Sequence, residues 1–159
     1  MPLIRHEPAT GPASRALFEE YMDLVRARLG TGFAPSEDIF ATAGAFAGAG
    51  AAWLVLYDDD RPVACGGLRR LEADIGEIKR MFVTAHARGR GHGRTLLAEL
   101  ERLAADAGYT RVRLYTTEVL TEARALYTDV GYRPVDVPAV DGRADDIWLE
   151  KRLPRSGTL

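Results

Sequence analysis

The sequence predicts a mixed α/β domain, with a meander of strands first and a β-helix-β unit in its second half. Three patterns carry that prediction. Apolar runs of strand length, bounded by turn residues, occupy positions 53–57, 61–71 and 76–83. Within residues 91–107, Leu96, Leu97, Leu100, Leu103, Ala104 and Ala107 recur on one helical face. Directly after that helix, residues 111–115 alternate strictly, with Val112 and Leu114 on one side of a strand.

Taken in order, residues 4–7 read as a short first strand. Residues 14–29 form an amphipathic helix in which Leu17, Phe18, Tyr21, Leu24, Val25 and Leu29 share helical spacing. Ser14 suits its N-cap and Gly30 its C′ position. The loop at 31–35 carries one aromatic, Phe33, and Ser36 would cap a second helix with Glu37 and Asp38 in its first turn. Asp58, Asp59 and Asp60 turn the chain between the first two strands of the meander, which reads as a hairpin. Gly108 follows the 91–107 helix. A short helix at 122–130 takes Thr121 as N-cap and Gly131 as C′, and two last strands follow at 132–137 and 145–153. With no internal repeat and no linker, the 159 residues suit a single domain over 1–153 and a loose tail at 154–159.

Composition narrows the function. The 21 basic and 23 acidic residues leave a net charge of −2, whereas a nucleic-acid binder usually carries a basic excess to neutralise phosphates. Cys65 is the only cysteine and cannot form an internal disulfide, which fits a reducing compartment. The N-terminus lacks the apolar core of a signal peptide. The uncharged stretch at 39–57 approaches the length of a membrane helix, but its first part is only weakly apolar and is broken by Gly44, Gly48 and Gly50. The chain is expected to be cytoplasmic and soluble, without a nucleic-acid or membrane partner. His6, His86 and His92 lack metal-ligand spacing, so no metal is expected. None of the serines, Ser14, Ser36 and Ser156, sits in a nucleophile elbow.

The informative segment is Arg88-Gly89-Arg90-Gly91-His92-Gly93-Arg94, between a strand ending at Val83 and the amphipathic helix. Glycines at alternate positions let backbone N–H groups converge on an anion, and the helix start adds unpaired donors and the positive end of its dipole. Three nearby arginines can supply charge, so the loop reads as a pyrophosphate cradle. It is neither of the commoner cradles. The dinucleotide fingerprint needs G-x-G-x-x-G, and the Walker loop needs a lysine that this segment lacks. The plainer reading is an ordinary strand–helix turn with an arginine-rich surface.

Arg88-x-x-Gly91-x-Gly93 matches the [QR]-x-x-G-x-[GA] signature of the GCN5-related N-acetyltransferase (GNAT) family, which the chain resembles closely over residues 53–135. Residues 77–83, Glu-Ile-Lys-Arg-Met-Phe-Val, resemble the family's fourth strand, and Leu96 and Leu97 fall on the expected helix. Ala125-Leu126-Tyr127-Thr128-Asp129-Val130-Gly131-Tyr132 resembles the family's A-x-x-[LF]-Y-x-x-x-G-[FY] segment. The resemblance implies a GNAT fold: a mixed, mostly antiparallel sheet with helices on both faces and a splayed central strand pair. It also implies acetyl-CoA as cosubstrate and acetyl transfer to an amine. By position, backbone groups of Met81, Phe82 and Val83 would hold the pantetheine like an added strand, and Arg88, Gly89, Arg90, Gly91, His92, Gly93 and Arg94 would wrap the pyrophosphate.

Aminolysis of a thioester needs a neutral amine, a stabilised oxyanion and a way to protonate the leaving thiolate. Glu77 stands where members of the family that acetylate histones place a catalytic glutamate, and it is equally readable as a strand carboxylate paired with Lys79, Arg80 or a neighbouring arginine on a solvated face. Tyr127 matches the tyrosine that many members use near the coenzyme sulfur; its plainer reading is packing beside Leu126. A backbone N–H near Met81 or Phe82 is the better oxyanion donor. Cys65 lies in an apolar strand without an adjacent base, so direct attack in a ternary complex is favoured over a covalent acyl-enzyme. His92 reads as a solvated loop residue or a phosphate neighbour. Tyr21 and Phe33, with Arg28, Glu37, Asp38, Glu118 and Glu122, mark the region expected to meet the acceptor. The expected acceptor is a primary amine of a small molecule, amino-acid derivative or peptide. Rival readings are a non-catalytic acyl-CoA sensor, an enzyme acetylating protein N-termini or side chains, and a cradle for another nucleotide. The residues leave open the acceptor, the pathway and whether the chain works as a homodimer.

Overall fold

The computed structural model describes residues 2–30, 43–117, 121–136 and 146–154. In these, the chain forms strand β1 (Leu3–His6), helix α1 (Pro12–Leu29), β2 (Ala52–Asp58), β3 (Arg61–Glu72), β4 (Ile75–Val83), helix α2 (His92–Asp106), β5 (Arg111–Thr117), helix α3 (Thr121–Asp129), β6 (Arg133–Pro134) and β7 (Asp146–Arg152). Short 3-10 turns stand at Ala43–Phe46 and Ala85–Ala87. The strands make one seven-stranded sheet in the order β1-β2-β3-β4-β5-β7-β6. Every neighbouring pair is antiparallel except β4 and β5. The expected β-helix-β unit is therefore β4-α2-β5, the one parallel step and the one that needs a crossover helix. The helix expected at Ser36, the residues Phe33, Glu37, Asp38 and Glu118, and the tail at 155–159 lie outside the described residues.

Period-two alternation divides the sheet between two cores. Leu54, Leu56, Ala64, Leu68, Ile78, Val112 and Leu114 face α2 and α3, where Leu96, Leu97, Leu100, Ala104 and Tyr127 cover them. Trp53, Val55, Cys65 and Phe82 face the other way, under Leu17, Tyr21 and Leu24 of α1 and Phe46. Full burial of Leu96, Leu97 and Leu100 is worth about 1.5–3 kcal/mol each, so this face outweighs any intrinsic helix preference. Ala107, expected on that face, is exposed, because the helix has ended and the chain is already turning.

One local expectation changes, and another gains detail. Helix α1 begins at Pro12 with Gly11 as N-cap, since proline lacks the N–H that the first turn leaves unpaired. Ser14 is thereby inside the helix and buried, and its hydroxyl accepts a 2.7 Å hydrogen bond from Trp53 Nε1. The β2–β3 hairpin turns through Asp59 (φ 51°) and Asp60 (φ 64°), a left-handed pair that aspartate tolerates better than most residues.

The glycine stops act as expected. After α2, Gly108 (φ 92°) bonds to the Ala105 carbonyl and Tyr109 N–H reaches Ala104; after α3, Gly131 (φ 107°) bonds to Thr128 and Tyr132 N–H reaches Tyr127. Both are Schellman turns whose following tyrosine is buried. Tyr132 hydroxyl then donates to Glu101 Oε2 at 2.8 Å, which ties the α3 stop to the body of α2.

Candidate active site

The parallel pairing of β4 and β5 covers only Ile75–Glu77 against Arg111–Arg113. Beyond that rung β4 runs on to Val83 and β5 to Thr117 without pairing to each other. The strands part like a V, and the facing backbone donors and acceptors of the open part are offered to a ligand. Met81, Phe82 and Val83 lie on the open length of β4, as expected.

The side chains at the parting are placed by a β-bulge. Cys65 pairs with Phe82 and Gly67 with Lys79, so Arg80 and Met81 together oppose one residue of β3. Arg80 takes a left-handed conformation (φ 59°), and Cys65 Sγ lies 3.7 Å from its carbonyl oxygen. The extra residue shifts the alternation. Ile78, Met81 and Val83 pack against the core under α2, whereas Phe82 packs in the core under α1. Arg80 lies 5.2 Å from the ring centre of Phe46, also on the α1 side. No glycine stands at the bulged residues themselves, but the residue opposite is Gly66, where a Cβ would lie 3.0 Å from Met81 Sδ.

At the far end of β4, the chain enters α2 through the glycine loop. Gly89 (φ 79°) and Gly91 (φ 80°) are both left-handed, and a Cβ at either would meet nothing within 4 Å. Gly91 is the N-cap of α2 and no side chain caps the helix start. Thr95 is the first residue whose N–H bonds back, to the Gly91 carbonyl, which leaves the preceding amides turned toward the loop. Gly93 serves packing instead: a Cβ there would lie 3.1 Å from Leu126 and 3.4 Å from Val83.

The side chains of this loop behave differently from the expectation of three available arginines. Arg88 donates from Nε to the Val83 carbonyl at 3.2 Å, and its guanidinium lies 5.8 Å from the Phe82 ring centre. It closes the loop onto β4. Arg94 pairs with Asp129 of α3, and Arg90, largely exposed, lies 3.9 Å from Asp58. The loop is thus mainly backbone, with Arg90 the most exposed of its charges. His92 is not a solvated loop residue: it is 5% exposed, with Nε2 3.2 Å from Asp58 Oδ2, at ion-pair distance but without hydrogen-bond alignment. Asp58, expected only as part of a turn, is the last residue of β2 and meets His92 at the start of α2.

Tyr21 of α1 packs edge-on to Phe82 with ring centres 5.6 Å apart. Tyr127 of α3 is 6% exposed and lies 5.8 Å from the Tyr132 ring. Burial pushes the Tyr127 phenol well above its ordinary value, and the nearby Tyr21 phenol adds to the shift. The two tyrosines belong to helices on opposite faces of the sheet, Tyr21 to the α1 side and Tyr127 to the α2 and α3 side. Glu77 sits on the last paired rung, 1% exposed, and Oε1 accepts from Arg69 Nε at 2.7 Å. The solvated face expected for it is a buried one, and its partner is Arg69 of β3, the residue directly across the ladder. Cys65 is buried and its thiol is pushed up to about 12 by desolvation. Among the described residues no group of histidine, cysteine and carboxylate side chains is placed to hold a metal, and no helix is long and apolar enough to cross a membrane.

The sheet is thus parted beside its crossover helix, and the start of that helix carries no side-chain cap. The acetyltransferase (GNAT) family model matches residues 15–132, and the chain belongs to that family. It is 35% identical over 87 residues to an N-acetyltransferase of Escherichia coli K12, covering 53% of this chain and 52% of that protein. It is 31% identical over 108 residues to the amino-acid acetyltransferase of Mycobacterium tuberculosis, covering 65% of this chain and 62% of that protein. The match thus spans little more than half the length of these relatives. Among solved structures, the PaiA N-acetyltransferase of Thermoplasma acidophilum, in complex with coenzyme A, superimposes with a TM-score of 0.73 at 17% identity, over 96% of this chain and 99% of that one. The expected fold, a mostly antiparallel mixed sheet with helices on both faces, is the fold observed.

Proposed function

We propose that this chain is an acetyl-CoA-dependent N-acetyltransferase in which a primary amine attacks the thioester directly, within a ternary complex. The observation that carries this reading is the parting of β4 and β5 immediately before a glycine cradle. The thioester arm would take backbone hydrogen bonds from Met81 to Val83 as an added strand, while the amides at the start of α2 receive the pyrophosphate. The left-handed glycines and the open space at their Cβ positions fit that group.

In the reaction the amine nitrogen bonds to the thioester carbonyl carbon and the C–S bond breaks. A β4 backbone N–H near Met81 or Phe82 would stabilise the oxyanion. Tyr127, kept neutral by burial, would donate a hydrogen bond to the departing sulfur. Glu77 is held by Arg69, so its role in this reading is to position that arginine, and the proton shed by the ammonium leaves through water. Cys65, buried and with its thiol pushed up to about 12, supports direct attack over an acyl-enzyme.

The test is a thermal-shift titration with acetyl-CoA, using ATP and NAD as controls, followed by amine-dependent release of free thiol. A ligand at 100 times its Kd stabilises the fold by about 2.7 kcal/mol. A shift selective for acetyl-CoA together with amine-dependent thiol release supports the transferase. A selective shift with no thiol release from any amine identifies a sensor instead, and a preference for ATP or NAD removes the coenzyme assignment.

A further inference from the structure

We propose that the coenzyme binds together with a proton taken up by His92, and that Asp58 holds the resulting imidazolium at the start of α2. The inference rests on the coenzyme half of the reading above and identifies the residues that set the charge of its phosphate loop. Of residues 88–94, His92 alone has a buried side chain. Its Nε2 is enclosed, stands 3.2 Å from Asp58 Oδ2 and makes no hydrogen bond, and Nδ1 has no partner among the described residues. Arg90 Nη1 lies 3.9 Å from the same Asp58 oxygen. One carboxylate, at the end of β2, thus faces two basic side chains of the loop that opens α2.

A buried imidazole in this position is unsatisfied in its neutral form. With the proton on Nδ1, the lone pair of Nε2 faces a carboxylate. With the proton on Nε2, Nδ1 is left as an acceptor, and an acceptor cannot bond a phosphate oxygen. The imidazolium donates from both nitrogens, one toward Asp58 and one free for the ligand. In the unliganded protein the positive end of the α2 dipole disfavours that cation, and Asp58 offsets the penalty. Phosphate groups arriving at the helix start add negative charge and favour the protonated form. The other charged groups on the surrounding elements are directed elsewhere. Glu7, after β1, accepts from the Tyr57 hydroxyl, and Arg88 reaches the Val83 carbonyl. Arg94 pairs with Asp129 of α3, and His86 meets the Thr84 hydroxyl at 3.1 Å. Asp59, Asp60 and Arg61 stand exposed on the β2–β3 turn. The linkage has one sign: the coenzyme prefers the protonated protein, so affinity is full at low pH and falls as pH rises through the titration of the histidine.

The experiment follows the imidazole resonances of the full chain by NMR from about pH 5 to 8, with and without saturating coenzyme A. The chain has three histidines, and the exposed His6 and His86 are assigned by loss of their signals in His6→Asn and His86→Asn. The expected result is a His92 midpoint that moves up by about one pH unit when coenzyme A binds, while those of His6 and His86 stay in place. Calorimetric titration reads the consequence. Across that range the affinity of the wild type should fall about tenfold more than that of His92→Gln, the equivalent of one unit. Comparing the two proteins cancels the titration of the coenzyme's own phosphate monoester. Asp58→Asn, which keeps the histidine, should lower its midpoint in the unliganded protein. Coenzyme A that leaves the His92 midpoint where it was overturns the proposal. So does a midpoint indifferent to Asp58→Asn, or a pH dependence of affinity that His92→Gln reproduces. The resonance titration decides the matter even where His92→Gln does not fold. Failure of coenzyme A to raise the melting temperature at any pH is a separate outcome, and it removes the reading on which the proposal stands.

Discussion

Substitution at Gly91 separates what the cradle owes to backbone shape from what it owes to charge. Gly91 sits at φ 80°, ψ 9° as the N-cap of α2, and a Cβ there would touch nothing within 4 Å. Gly91→Ala therefore adds no clash and incurs only the left-handed backbone penalty, about 1–2 kcal/mol. For a domain of this length, 1 kcal/mol moves Tm by roughly 2–4 °C, so the unliganded Ala variant should melt about 2–8 °C lower. Gly91→Glu carries the same backbone penalty, offset by about 0.3–1 kcal/mol because an acidic group suits a helix N-terminus, and should melt no lower than the Ala variant. Its effect on acetyl-CoA should be far larger. A carboxylate about 5 Å from a phosphate at an effective dielectric of 20 repels it by roughly 3 kcal/mol, which is a loss of more than 100-fold in affinity. Melting curves of the unliganded proteins, with calorimetric titration of acetyl-CoA into each, measure both quantities. If the Glu variant binds acetyl-CoA within threefold of the Ala variant, the pyrophosphate is not seated at the start of α2.

Four further outcomes follow from the site. Tyr127→Phe should lower kcat by about 10- to 100-fold with little change in coenzyme affinity, because the hydroxyl is assigned to the departing sulfur; an unchanged kcat returns Tyr127 to a packing role. Burial raises the pKa of that phenol, so it stays protonated through neutral and moderately alkaline pH, and kcat/KM should climb with amine deprotonation without a descending limb below about pH 10. A limb that falls near pH 8 and disappears in Tyr127→Phe contradicts this. Cys65, with its thiol pushed up to about 12, should resist disulfide-exchange reagents at pH 8 in the native protein and react fully on unfolding; rapid native labelling refutes its burial. Glu77→Gln leaves Arg69 without its charged partner, so Tm should fall by several degrees while the acidic limb of the pH–rate profile stays in place; a displaced limb makes Glu77 the base.

Much of the fold was legible along the chain because its signals are local. The α2 stripe, the alternation of Val112 with Leu114, and the glycine stops at Gly108 and Gly131 each report on a few consecutive residues, and each element formed where its pattern lies. The start of α1 was misplaced because Ser14 suits an N-cap in isolation, whereas Trp53, 39 residues away, claims its hydroxyl. The site was half legible. Its glycines are a short motif with a backbone meaning, and Gly89 and Gly91 have the left-handed conformations that such a motif requires. The side chains were less readable: His92 is buried against Asp58, Arg88 and Arg94 are turned onto the protein, and Glu77 is paired with a residue of another strand.

The sequence by itself determined the helices and strands described here, where α2 and α3 stop, and where the left-handed glycines before α2 fall. Those are matters of side-chain period and of the conformational freedom of glycine, fixed within one or two turns of chain. Only the tertiary structure decided that β4 and β5 part after Glu77, that a bulge at Arg80 shifts the alternation of β4, and which carboxylate each arginine finds. Register between strands and the pairing of distant charges depend on how whole layers pack, and no short window of sequence carries that energy.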